Sequence, residues 1–223
     1  MKKVIFLVSV WLTVSQSLKV LADSPVTSTY WADAYKDIPI IAKRIEKVSR
    51  KDQVLTDEEI EYLVNDKNPF TLRAALINAN GWNINGLNNT PKLLNRLYKK
   101  YGVKTQNELL EKANEYDLMV LAYLKIMDNY FATQEPWDIA FKAYKRHIDE
   151  KNTQKPSYAF LLIFVIIKGQ LYLDNQNLWC DIYKNFAAVQ SLFDEGKLTN
   201  DIKPEGVKPI AGYLGIYAET CNE

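Results

Sequence analysis

From Tyr158 to Ile167 ten consecutive residues are apolar, and this run sets the tightest limit on what the chain can fold into. A helix with no polar face has to be packed on every side. The run is too short to cross a membrane, which takes about 20 apolar residues, and Lys168, Gly169 and Gln170 interrupt it. The run therefore predicts a helix at the centre of the fold, with the remaining helices arranged around it.

Apolar residues recur every three or four positions through most of the remaining chain, and no strand-like alternation persists. The stripe Trp31, Ala34, Tyr35, Ile38, Ile41, Ala42, Ile45 and Val48 predicts a helix over 28–48. Pro39 inside it predicts a kink or break near Ile38, because proline lacks the amide donor and clashes with the preceding turn. Thr56-Asp57-Glu58-Glu59 is a capping box that opens a short helix to about Val64. Asn68-Pro69 and Thr90-Pro91 each read as a cap followed by proline at the first helical position, and Gly102 closes the second of these helices. A second capping box, Thr105 to Glu108, predicts a long helix whose stripe runs from Leu109 through Ala113, Tyr116, Val120, Leu124 and Met127 to Phe131. Glu135-Pro136 opens another, with Trp137, Ala140, Phe141, Tyr144 and Ile148 as its buried face. A last helix over about 175–193 buries Trp179, Ile182, Phe186 and Phe193. The expectation is one all-α domain over 23–223. It holds about eight helices, paired antiparallel in a compact array, either α-solenoid-like or an orthogonal bundle.

The first 22 residues read as a secretory signal peptide. Lys2 and Lys3 precede a nearly all-apolar run from Val4 to Val14, and Val20-Leu21-Ala22 offers a cleavage site. This predicts a periplasmic or secreted protein, soluble after cleavage and with no stable membrane insertion. Losing Lys2, Lys3 and Lys19 leaves 25 basic against 27 acidic residues. With no basic excess to neutralise a phosphate backbone, nucleic acid is excluded as a main partner. An oxidising compartment favours a disulfide between Cys180 and Cys221. Closing that loop removes about 4 kcal/mol of unfolded-state entropy. Cys180 projects away from the last helix's apolar stripe, so the tail at 197–223 is expected to pack back over that face with Ile210, Tyr213, Leu214 and Tyr217.

Residues Leu63 to Leu76 carry Asp66 and Pro69 at a turn, then Leu72, Arg73, Ala74 and Ala75. This pattern resembles the turn and second helix of a HEAT-type helical repeat. The resemblance covers about 25 residues and has no second copy in the chain. It implies paired antiparallel helices and, in the full family form, a concave face that binds a partner.

The chemistry-bearing residues are sparse. His147 is the only histidine and has no orienting or nucleophilic partner nearby in sequence. One histidine and two bridged cysteines leave no strong metal set. Gly81, Gly86 and Gly102 are too scattered to cradle a phosphate, so no metal or cofactor is expected. Four carboxylates, Glu59, Glu61, Glu135 and Asp138, are formal candidates for glycan cleavage, which needs two acids at a set separation. The least ordinary stretch is 78–90, with six asparagines among residues 78–89. Asparagine caps helices and tolerates left-handed backbone. Trp82, Asn83, Asn85, Asn88 and Asn89 are also the side chains best suited to hold a protein or a cell-wall glycan. Tyr30, Trp137 and Tyr213 are further candidates for lining a groove. The leading expectation is an exported, all-helical binding protein with a protein partner, for instance an inhibitor or immunity protein. The alternatives are a cell-wall glycan hydrolase or lyase and a carrier of a small apolar ligand.

Overall fold

The computed structural model describes residues 24–49, 51–84, 86–149 and 155–221. The signal-peptide expectation (1–22) and Asn85 lie outside the described residues. Among the described residues eleven α-helices form and no β-strand. They are α1 (Pro25–Ser28), α2 (Pro39–Ser49), α3 (Asp57–Val64), α4 (Phe70–Asn80), α5 (Asn89–Tyr101) and α6 (Gln106–Lys112). α7 (Glu115–Asp128), α8 (Gln134–His147), α9 (Tyr158–Leu171), α10 (Trp179–Asp194) and α11 (Pro204–Gly215) follow. Short 3-10 turns cover Ala32–Tyr35, Gln176–Leu178 and Ile216–Cys221.

The count exceeds eight for three local reasons. The helix expected over 28–48 splits into α1, a 3-10 turn and α2, which begins at Pro39. The buried Asn78 side chain helps to cause the split. Its Oδ1 accepts from the amides of Trp31 and Ala32 at 2.7 and 2.9 Å, taking donors a continuous helix would use internally. The long helix expected from 105 breaks at Ala113-Asn114. There Arg146 donates to the carbonyls of Leu110 and Ala113, while Asn114 Oδ1 caps Asp117 N at 2.8 Å. The third addition is α11 in the tail, with Pro204 in its first turn.

Other boundaries also move. Asn68 does not cap α4, because its Nδ2 donates to Tyr62 O at the end of α3 and Pro69 occupies the cap position. α5 begins at Asn89, so Thr90 and Pro91 sit inside its first turn. Both capping boxes form, with Glu59 N donating to Thr56 Oγ1 and Glu108 N to Thr105 Oγ1. Gly102 closes α5 in the left-handed conformation at φ 62°.

All ten residues of the apolar run are buried on α9. The helix is enclosed by α1, α4, α7, α8 and α10. Each large apolar side chain buried this way contributes about 1.5–3 kcal/mol. α7 is a second enclosed helix: Leu118 to Leu124 are all buried, so its burial is wider than the expected stripe. That stripe ends before Phe131, which lies beyond the helix and is 64% exposed. On α8 the buried face is Pro136, Ile139, Ala140, Ala143 and His147. Phe141 and Ile148, expected inside, are exposed, and Trp137 and Tyr144 are half-buried. Burial follows α8's small residues because α7 and α8 make the most extensive helix contact in the fold, and small side chains permit it. On α10 only Ile182 and Phe186 are fully buried, and Trp179 and Phe193 are half-buried. The tail packs on α10 and α1, burying Ile210, Leu214 and Tyr217 while Tyr213 is half-buried. Cys180 and Cys221 lie at disulfide distance, with Cα atoms 4.8 Å apart.

Two ion pairs are built into this interior. Arg44 of α2 is wholly buried and spends all five N–H donors. Its guanidinium reaches both oxygens of Glu59, Asn80 Oδ1 and the carbonyls of Asp52 and Val54. Burial pushes the Glu59 carboxyl up, but Arg44 and Thr56 outweigh it and hold the group below the usual carboxylate range. Arg73, the arginine of the repeat-like segment, points inward and donates to Asp117 Oδ1 at 2.7 Å and to Leu63 O. Asp117 Oδ2 takes Tyr101 and Lys100 at 2.8 and 2.7 Å.

Truncating Arg73→Ala takes one of its two cations from the buried Asp117 carboxylate and leaves Oδ1 without its donor while Lys100 and Tyr101 still hold Oδ2, so urea denaturation should show a loss of about 1–3 kcal/mol. The stability tied to Glu59 is present above its ordinary value of 4.5 and is lost as pH falls through the lower folded-state value. Denaturation midpoints should therefore fall more steeply below that pH in the unsubstituted protein than in Glu59→Gln. Parallel acid profiles would contradict this.

Candidate functional site

The asparagine-rich segment is where local sequence and tertiary contacts meet. α4 ends at Asn80, and Gly81 follows at φ 73°, a left-handed conformation that glycine adopts without strain. Gln53 clamps the turn, donating to the carbonyls of Asn80 and Trp82 and accepting from Asn83 Nδ2 at 3.2 Å. Residues 82–84 then run beside the end of α7. Asn83 N donates to Met127 O at 2.7 Å, and Tyr130 N donates to Asn83 O at 2.9 Å. The Trp82 ring rests against Tyr130 at 5.4 Å.

Asp128, buried at the end of α7, organises the next part of the loop. Its Oδ1 accepts from Leu87 N and Asn89 Nδ2, and its Oδ2 accepts from Thr90 N, all at 3.1–3.2 Å. Through Thr90 N, in the first turn of α5, this carboxylate supplies the side-chain cap that Asn88 does not. Asn89 is buried as well, with Oδ1 accepting Leu55 N at 2.8 Å and Nδ2 also donating to Gln53 O. Asn78, Asn80, Asn83 and Asn89 are thus structural amides. Asn88 is exposed in left-handed backbone at φ 64°, and Trp82 is half-buried.

Beside this pinned loop two large apolar side chains face solvent: Ile84 is 48% and Phe131 64% exposed. They come from the two segments that the Asn83 backbone bonds join. An adjoining groove of about 550 Å³ is lined by Leu87, Asn88, Thr90, Lys125, Asp128 and Glu135. Lys125 Nζ lies 3.0 Å from Glu135 Oε1, which also accepts from Gln106 at 2.7 Å. Burial pushes the Glu135 carboxyl up, yet Gln106 and Lys125 outweigh it and keep the group low. The result is an apolar edge next to a polar, charge-paired groove.

The four candidate carboxylates do not converge. Glu59 is buried in its ion pair. Glu61 pairs with Arg96 at 2.8 Å in a separate cleft of about 860 Å³ between α3 and α5. Glu135 lies in the loop groove, and Asp138 accepts from Gln134 on α8's solvent side. His147 is buried under the start of α9, with Nε2 accepting from Ser157 N. Among the described residues no group of three or more His, Cys, Asp or Glu side chains is placed to hold a metal ion. Nor is any helix among them long and apolar enough to cross a membrane. Of the groove-lining aromatics expected, Tyr30 is 41% exposed, while Trp137 stacks on Phe141 and lies tilted against Phe164. A further crevice of about 460 Å³ has Tyr158, Phe193, Ile202, Val207 and Ala211 among its walls.

Sequence reasoning missed Gln53 and Asp128, since nothing local marks partners 27 to 41 residues away. Phe131 carried a readable signal: Asn129 precedes it and ends the helix, so the stripe should not extend past Met127. Compared with family models, with curated proteins and with solved structures, the chain matches none.

Replacing Asp128→Ala leaves the Leu87, Asn89 and Thr90 donors without their acceptor and should cost about 1–3 kcal/mol in urea denaturation. Phe131→Ala should stay within about 0.5 kcal/mol, as surface changes do. A large loss for Phe131→Ala would mean that its ring is packed rather than presented.

Proposed function

We propose that this is an exported binding protein that engages a protein partner through the face formed by residues 82–84, 86–91 and 128–136. The observation that carries the reading is that Ile84 and Phe131 are both exposed on two segments joined by the Asn83 backbone bonds, the first of them also tied down by Gln53 and Asp128. Fixing an apolar side chain in solvent before binding lowers the ordering cost of association. An apolar centre beside a polar, hydrogen-bonding groove is also the usual anatomy of a protein interface. Trp82 and Asn88 extend the surface on its two sides. The leader-like first 22 residues support export, and an inhibitor or immunity protein that occludes an enzyme is one form such a binder takes. A glycan-cleaving activity finds less support, because its candidate acids are dispersed and Glu59, Glu61 and Glu135 are ion-paired.

The test is a paired capture from the exported fraction, using the protein itself and the double variant Ile84→Asp, Phe131→Asp. The expected result is a partner held by the former and bound at least about 30-fold more weakly by the latter, the scale of a hot-spot loss. An unchanged far-ultraviolet spectrum would show that the variant is folded. Equal capture by both proteins would overturn the assignment of this face.

The crevice beside α10 and α11 supports a second reading, a carrier of a small apolar ligand. Its walls are largely apolar, and Tyr158 stacks on Phe193 at 4.2 Å. Native mass spectrometry of freshly purified protein should then show a bound species that Ala211→Trp excludes. A spectrum with only the bare protein mass, in repeated preparations, would remove the reading.

A further inference from the structure

The two sides of α11 are used differently. Gly206, Ile210 and Leu214 are buried, and a Cβ at Gly206 would meet Ile202, Trp31 and Ala34 at 3.4–3.6 Å, so this side is closed against the body of the protein. Pro204, Val207, Lys208 and Ala211 repeat at three and four residues on another side and line the crevice of about 460 Å³ beside α10. None of these four is fully buried. From Pro204 to Ala211 they run along two turns, about 10 Å of helix. Ile202 and the rings of Tyr158 and Phe193, stacked at 4.2 Å, add to the apolar lining.

The polar groups of the crevice divide into committed and uncommitted. Tyr158 O–H donates to Gln190 Oε1 at 2.7 Å, and Gln190 Nε2 donates to Asp194 Oδ1 at 3.0 Å. The Asn200 amide and the Lys208 ammonium, by contrast, have no hydrogen-bond or ion-pair partner among the described residues. Both residues are exposed, so solvent reaches each of them. Lys208 is also the only charged side chain among the described residues that line the crevice. The carboxylates next to the lining residues in sequence are held elsewhere: Asp194 accepts from Gln190, and Asp201 accepts from Ser157 Oγ and Ala159 N. Apolar walls with a few polar groups free to fix orientation are what a small-ligand site needs, and such sites span roughly 300–1,000 Å³.

We propose that this crevice binds a single-chain amphiphile with a carboxylate head, its chain along the apolar wall of α11 and its head against Lys208 and Asn200. The proposal rests on the carrier reading of the crevice and adds the chemical class of the ligand. A carbon chain matches the lining, and one negative charge matches the one uncommitted cation. A neutral head would leave that cation unanswered, and a cationic head would meet a like charge.

The test is a titration of the full chain with decanoate and with decanol, which share a chain and differ in head charge, read by ¹H–¹³C spectroscopy of the methyl groups. Both compounds should shift Ile202, Val207 and Ala211 while Leu121, at the centre of α7, stays fixed. Lys208→Met should weaken decanoate about fivefold, the scale of a solvent-exposed ion pair, and leave decanol unchanged. That difference between the two proteins should vanish in about 1 M salt, where charges are screened beyond about 3 Å. Ala211→Trp should exclude both compounds. Methyl spectra that match the unsubstituted protein away from the crevice would show that each variant is folded. Decanoate bound equally by Lys208→Met and the unsubstituted protein, or decanol weakened as much as decanoate, would overturn the carboxylate head and leave the carrier reading intact. No shift at Val207 and Ala211 with either compound would overturn both.

Discussion

The enclosure of α9 is the constraint on which the rest of the structure depends. A helix buried over ten successive residues offers nothing to water, so neighbouring helices have to cover it from every direction. That demand draws α7 inward until it too is buried along Leu118 to Leu124. Two enclosed helices crowd the polar groups of the surrounding elements into the interior, where each needs a partner because an unpaired buried donor or charge costs several kcal/mol. Arg44 with Glu59, Arg73 with Asp117 and the fourfold bonding of Asn78 all answer that need.

These polar contacts set direction more than they add stability. A buried ion pair gains little over an apolar pair of the same shape, but its geometry admits one arrangement of the helices that carry it. Arg44 joins α2 to the capping box of α3 and to the end of α4. Arg73 joins α4 to α7, and through Asp117 to Lys100 and Tyr101 at the end of α5. The same logic extends to the loop after α4. Its amides bond inward to Gln53 and Asp128 while Ile84 stays exposed, as does Phe131 on the segment after α7 that the Asn83 backbone bonds join to it.

Much of the architecture was legible because it rests on short-range chemistry. The central helix follows from an unbroken apolar run, and both capping boxes form because Thr56 with Glu59 and Thr105 with Glu108 need only one helical turn to meet. What failed to read did so where a distant group competes with the local pattern. Asn78 diverts the amides of Trp31 and Ala32, Arg146 takes the carbonyls at the end of α6, and Asp128 caps α5. The candidate site divides the same way. Asn88 is exposed and Trp82 half-buried, whereas Asn83 and Asn89 are spent on the fold.

By itself, the sequence determined the helical class, the helix that had to lie at the centre and several helix ends, since each depends on residues within a few positions of one another. It also brought Cys180 and Cys221 into question as a pair, though whether they could meet depended on the tail returning over α10. The tertiary structure alone decided which face of α8 turns inward, where the long helix breaks and which asparagines are buried. It also decided that the single histidine would lie beneath the start of α9. Those outcomes depend on contacts between residues 10 to 49 positions apart. Local periodicity carries no information about which distant donor or acceptor will reach a given backbone group first.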